Sequence, residues 1–135
     1  MKAEELKLVL DSLTLVQSMA DEVAKSFYKH LFEIAPQTKK LFTGDMDRQG
    51  MMLMTSLSLA VSGLSNMDDI LPSVQALGER HVSYGVKPEY FQPASESFIW
   101  ALENHMGDQF TPALKEAWTL AFQSLTKAML GAFDS

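Results

Sequence analysis

An all-α fold is the expectation for this 135-residue chain. Three observations carry it. Apolar residues recur at three- and four-residue spacing along nearly the whole length. Strand-like alternation and Asn-Gly hairpin signals are missing. Pro36, Pro88 and Pro112 stand at the breaks in the apolar pattern, where helices end or begin.

The elements follow in order. Leu6, Leu10, Leu13 and Val16 mark a first helix. Val23, Phe27, Leu31 and Ile34 mark a second, which ends before Pro36. Pro36 to Phe42 reads as a short helical turn with proline at an early position. A third helix starts near Asp45 or Asp47, either of which can cap it, and runs to about Gly63. Most of it belongs to the uncharged run "QGMMLMTSLSLAVSGLSNM", between Arg48 and Asp68. Ser, Thr, Gly and Asn interrupt that run too often for a membrane span, so it reads as a helix buried on most of its circumference. Asp68 and Asp69 lead into a helix through Val74, Leu77 and His81, with Pro72 expected in its first turn. Pro88 opens a segment carried by Phe91, Phe98, Leu102 and Met106, with Pro93 interrupting its start. Thr111 caps the last helix, Pro112 follows, and Leu114, Trp118, Phe122, Leu125 and Met129 give its apolar stripe.

No linker, internal repeat or low-complexity segment divides the chain, so residues 1–135 are expected to form one domain. The chain is 47% hydrophobic and 21% charged, ordinary for a soluble globular protein. A net charge of −6 argues against nucleic acid and against an anionic membrane as partners. Without cysteine there is no disulfide framework and no thiolate site for zinc or an iron–sulfur cluster. The opening "MKAEELKLVLD" is not a secretory signal, so a cytoplasmic location is expected.

Three histidines are present. His30, beside Lys29, and His105, near a helix end beside Gly107, read as surface or satisfied residues. His81 differs. Leu77 lies four residues earlier, so its carbonyl is poised to accept a hydrogen bond from one ring nitrogen, the usual way a metal-bound imidazole is oriented. No other His or clustered carboxylate lies near it at ligand spacing, so a protein-only zinc site is unsupported. One histidine suffices where a cofactor supplies the remaining ligands, as the four pyrrole nitrogens of haem do.

At this point "FYKHLFEIAPQTKKLF", Gln49, "LPSVQALGERHVSYGVKPEYF" and Ala117-Trp118, in this order and spacing, resemble the bacterial single-domain globins. The nearest pattern is the haem domain of flavohaemoglobins. The similarity runs from about Phe27 to Leu130, with no gap between Gln49 and Phe91. It implies a globin fold, a three-over-three helical sandwich around haem b, and an uncharged third helix with one face on protein and one on porphyrin. It implies His81 as the iron ligand, Phe42 packed against the haem plane, and Leu53 above the iron. Leu77, Val86 and Phe91 complete the cofactor-contacting set. Tyr28 and Gln49 match the family's distal tyrosine and glutamine, donors suited to a polarised gas ligand such as O2 and less useful to CO. Met51, Met52 and Met54 read as adaptable packing rather than iron ligands.

The pattern also departs from the family. Flavohaemoglobins place a tyrosine and a glutamate behind the proximal histidine; here the tyrosine's position holds Phe91. Tyr90 is adjacent but about 100° away around a helix. The glutamate's position falls around Ser135, where only Asp134 is acidic. A less electron-rich histidine is the expectation. No flavin or nicotinamide module accompanies the domain, so sustained dioxygenation of nitric oxide would need a separate reductase. The leading functional expectation is reversible binding of O2, with NO and CO as further ligands, for storage, delivery or sensing. The alternative is a nitric oxide dioxygenase. A cofactor-free interaction module is disfavoured, because no basic or exposed-apolar helix face is evident.

Overall fold

Helices account for nearly all the described residues, 1–131, of the computed structural model. They are α1 (Ala3–Ser18), α2 (Ala20–Ile34), α3 (Met46–Ser62), α4 (Met67–Ser83), α5 (Phe91–Met106) and α6 (Pro112–Leu130). Short 3-10 turns at Pro36–Leu41, Leu64–Asn66, Pro88–Tyr90 and Gly107–Gln109 join them, and no strand occurs among the described residues. α2 packs most extensively on α5 and also on α3, while α6 packs on α1, α4 and α5. This is the three-over-three sandwich expected from the sequence.

The helix starts follow local chemistry. Asp45, not Asp47, caps α3: its carboxylate accepts from the Asp47 N–H at 2.9 Å and from the Arg48 N–H. The Thr111 hydroxyl accepts from the Leu114 N–H at 3.2 Å, and Pro112 fills the first helical position. An aromatic column joining α2, α5 and α6 runs through the core. Phe27 stacks on Phe98 with ring centres 4.0 Å apart, Phe98 on Phe122 at 5.0 Å, and Trp118 lies 5.6 Å from Phe122. Trp118 is fully buried, and its indole N–H is satisfied by the Ser12 hydroxyl of α1 at 2.9 Å. That hydroxyl in turn donates to the Val9 carbonyl at 2.9 Å, so α6 is fastened to α1 through one polar chain.

Two close approaches set where the helices cross. A Cβ on Gly50 of α3 would lie 3.1 Å from the Ala24 Cβ of α2. A Cβ on Gly78 of α4 would lie 2.5 Å from the Met129 carbonyl oxygen of α6. Each glycine lets a neighbouring helix lie against backbone where any other residue would hold it off.

Several sequence expectations need correction. Pro72 stands in the second turn of α4, not the first. Its missing N–H leaves the Asp68 carbonyl without a helical partner, which is tolerable because both residues are exposed. Pro93 does not interrupt α5: it is the third residue, where no intrahelical N–H bond is required. α3 is not buried on most of its circumference. Gly50, Met54, Leu57 and Val61 form a single buried stripe, while Met51 and Leu59 are each 71% exposed. On α1 the buried stripe is Val9, Leu13 and Val16, with Leu6 and Leu10 at its margin. Ile34 is exposed. The expectation for His30 and His105 as surface or satisfied residues holds on its second alternative, since both are hydrogen-bonded. His30 Nδ1 lies 3.0 Å from the hydroxyl of fully buried Ser97, and His105 Nε2 lies 2.6 Å from that of Ser26. These reciprocal pairs join α2 to α5 on either side of the Phe27–Phe98 stack.

Candidate functional site

On α4, His81 Nδ1 lies 2.7 Å from the Leu77 carbonyl oxygen, one turn back. An oxygen that close is an acceptor, so Nδ1 carries a proton, and in the neutral ring the lone pair is left on Nε2, where a metal would bind. The helix ends just beyond in a Schellman arrangement. The Val86 N–H donates to the His81 carbonyl at 3.0 Å and the Gly85 N–H to the Val82 carbonyl at 3.1 Å. Gly85 has φ +87°, a conformation an L side chain rarely adopts. The Ser-Tyr-Gly sequence after the histidine is therefore a helix stop, and Val86 is tied to the backbone of His81 itself. Phe91 is buried with its ring centre 5.9 Å from the imidazole, and exposed Tyr84 lies at 6.4 Å.

A second cluster gathers α2, α3 and the turn between them. Tyr28 is buried, 6% exposed, and Phe42 meets it edge-on with ring centres 5.1 Å apart. Phe32 packs on both rings, at 5.9 Å and 5.6 Å. The 3-10 turn that delivers Phe42 is held by buried Thr38, whose hydroxyl donates to the Ala35 carbonyl at 2.7 Å. Burial pushes the Tyr28 phenol up from its ordinary 10.0 to about 12, and a hydrogen bond from the neighbouring Gln49 side chain pulls it part of the way back. At neutral pH Tyr28 is therefore protonated and able to donate. Gln49 is half-buried in the first turn of α3, and half-buried Leu53 follows one turn later.

Of the residues singled out from sequence, the fold brings Tyr28, Gln49 and Phe42 together, and separately His81, Leu77, Val86 and Phe91. Leu53 and Phe42 both border the central core. Phe42, Leu53, Leu77 and Val86 are each covered only in part by protein, which leaves apolar surface for a flat apolar ligand. Among the described residues no group of three or more His, Asp or Glu could hold a bare metal ion. One oriented imidazole with apolar neighbours fits a metal whose other ligands arrive with it, which is the donor set haem requires. The position expected for the proximal glutamate, around Ser135, lies outside the described residues.

Sequence reasoning passed over Gly50 and Gly78, whose close contacts fix how α3 and α4 lie. A single glycine inside an otherwise periodic helix was the available signal. It also passed over Ser97 and Ser26, since a serine facing a histidine 67 or 79 residues away leaves no local pattern.

An all-helical sandwich with one oriented, half-buried histidine and a separate tyrosine–phenylalanine cluster is compatible with a haem protein. The Globin family model matches residues 25–129, and the chain belongs to the globin family. Membership implies haem binding. Among curated proteins it is similar to the flavohemoproteins of Rhodopirellula baltica (26% identical over 129 residues, 93% of this chain) and Bacillus subtilis (22% over 129 residues, 93% of this chain). It spans about a third of their length, 32% of each. An uncharacterized globin-like protein of Aquifex aeolicus is 22% identical over 129 residues, covering 94% of this chain and 90% of that one. Among solved structures, a bacterial globin from Campylobacter jejuni superposes with a TM-score of 0.85 at 21% identity, covering 99% of this chain and all of that one. An engineered carbene transferase from Rhodothermus marinus gives 0.88 at 21% identity, covering 99% and 94%. No helix among the described residues is long and apolar enough to cross a membrane.

Proposed function

We propose that this globin holds haem b through His81 Nε2 and binds diatomic gases reversibly, O2 first among them, with NO and CO as further ligands. The observation that carries the reading is the 2.7 Å approach of His81 Nδ1 to the Leu77 carbonyl, which fixes the tautomer a metal needs. When bound, haem would supply an iron able to take up a diatomic gas. The chain's own residues set what happens there. Phe42 and Leu53 would offer apolar surface to the porphyrin, as would Val86, which the helix stop ties to the backbone of His81. Tyr28 keeps its proton to about pH 12, so its O–H and the Gln49 amide are two donors side by side. A ligand that becomes negatively polarised accepts from them, and one that stays neutral gains less.

Nitric oxide dioxygenation with a separate reductase is the second reading, supported by the flavohemoprotein relatives. Phe91 weighs toward binding. It carries no polar atom to draw on the imidazole, whose Nδ1 proton goes to a neutral carbonyl. Stopped-flow O2 dissociation from wild type and Tyr28→Phe tests the distal assignment. Loss of one donor worth about 1–3 kcal/mol speeds release by roughly tenfold to a hundredfold. An unchanged rate would remove Tyr28 from the gas site, and a purified protein that takes up no haemin would end the reading altogether. Fast, sustained NO consumption with a generic reductase would favour the enzyme.

A further inference from the structure

With no cysteine in the chain, the nine methionines are its only sulfur chemistry. Most are sheltered. Met54 is 4% exposed and Met106 6%, and Met19, Met46, Met67 and Met129 are half-buried against the core. Met1, 47% exposed, belongs to the chain start. Met51 and Met52 stand apart: they are 71% and 52% exposed, adjacent, and in the first two turns of the helix that carries Gln49 and Leu53. Met51 lines an open groove with Gln17, Ala20, Asp21 and Thr55. Met52 is three residues beyond Gln49, the spacing at which side chains on one helix touch.

We infer that Met51 and Met52 form a sulfoxidation site, with hydrogen peroxide as the oxidant, and that the Met52 sulfoxide acts on Gln49. The sulfur lone pair attacks one peroxide oxygen, an S–O bond forms as the O–O bond breaks, and the second oxygen leaves with both protons as water. Sulfur is oxidised by two electrons and the peroxide is reduced by two. The product is a polar, strongly accepting group in place of an apolar one. Met52 and Gln49 are three residues apart on α3, so an oxygen placed on the Met52 sulfur becomes a strong acceptor beside the Gln49 amide. The amide turns to the sulfoxide, and the second donor leaves the phenol's side. Met54, on the same helix, also borders that groove but is only 4% exposed, which makes it the internal control.

The test treats the haem-loaded protein, held in its carbon monoxide form, with a small excess of hydrogen peroxide. Fragment mass spectrometry then follows oxygen addition residue by residue. Met51 and Met52 are expected to oxidise about tenfold faster than Met54 or more, and a methionine sulfoxide reductase reverses it. Equal rates at Met54, or unreacted Met51 and Met52, would overturn the site. Oxidised wild type is further expected to release O2 faster, by about tenfold for one lost donor. Oxidised Met52→Leu, still modified at Met51, should release it at the untreated rate. If that variant accelerates as much as wild type, the link from Met52 to Gln49 is wrong. This second step rests on the reading of Gln49 as a distal donor. The mass measurement does not, so the two fail separately.

Discussion

Replacing Gly78 by alanine gives opposite signs depending on whether the α4–α6 crossing is as close as the structure has it. In an ordinary helix interior the change stabilises, by about 0.5–1 kcal/mol, because alanine has the better helix propensity and less unfolded-state entropy to lose. Here the added Cβ would lie 2.5 Å from the Met129 carbonyl oxygen, 3.0 Å from its Cα and 3.1 Å from its carbonyl carbon. None of these is the far end of a flexible side chain. Restoring an ordinary C···O separation of about 3.3 Å pushes the helices apart by roughly 0.8 Å. Overpacking of that kind costs about 1–3 kcal/mol, so the net result is a loss of about 1 kcal/mol or more, and valine loses further. Urea denaturation at neutral pH reads it directly, and the melting temperature falls by about 4 °C for each kcal/mol in a chain of this size. Because Leu77 and His81 ride on the same helix, their hydrogen bond survives while both move relative to α6. Haem should therefore transfer faster to an apo-globin acceptor. A Gly78→Ala protein as stable as wild type, or more so, would refute the close crossing.

Two further outcomes follow from buried polar groups. Tyr28 retains its proton in the folded protein to about pH 12, whereas an unfolded tyrosine releases it near 10.0. Between those values the unfolded chain binds fewer protons, so stability is intact below pH 10 and falls as pH rises toward 12, by about 3 kcal/mol. Subtracting the same alkaline series for Tyr28→Phe isolates that slope in urea titrations, and parallel curves would contradict it. Ser12→Ala removes the acceptor of the Trp118 indole N–H, leaving a donor in the fully buried core. A loss of about 1–3 kcal/mol is expected from chemical denaturation. No loss would mean that the indole finds another acceptor.

The helices were readable from sequence because their signals are local. Asp45, Thr111, Pro36 and Pro112 act within a turn of themselves, and an apolar stripe repeats inside one helix. What escaped was how much of a stripe the neighbours would cover. The uncharged run in α3 suggests burial all round, yet Met51 and Leu59 face outward, because residues without charge need not be inside. Pro72 misled in a related way. A proline in the second turn costs one hydrogen bond, and an exposed carbonyl can replace that bond with water, so the helix begins a turn earlier than the proline suggests.

The candidate site divides along the same line. His81 and the Leu77 carbonyl are four residues apart on one helix, so their 2.7 Å contact could be anticipated from spacing alone. Tyr28 and Gln49 lie on different helices, and nothing in either residue's surroundings marks it as a donor. Resemblance alone pointed to the pair, and what joins them is a packing detail. Gly50, the residue after Gln49, lies against Ala24, one turn before Tyr28. The small residue at each side of that crossing lets α2 and α3 approach closely where Gln49 and the buried Tyr28 stand. The neighbourhood of Tyr28 and Gln49 thus depends on two residues that carry no polar atom in their side chains at all. Enlarging either Ala24 or Gly50 should part Tyr28 from Gln49 while leaving both in place, a change that a reading of the donors alone would never suggest.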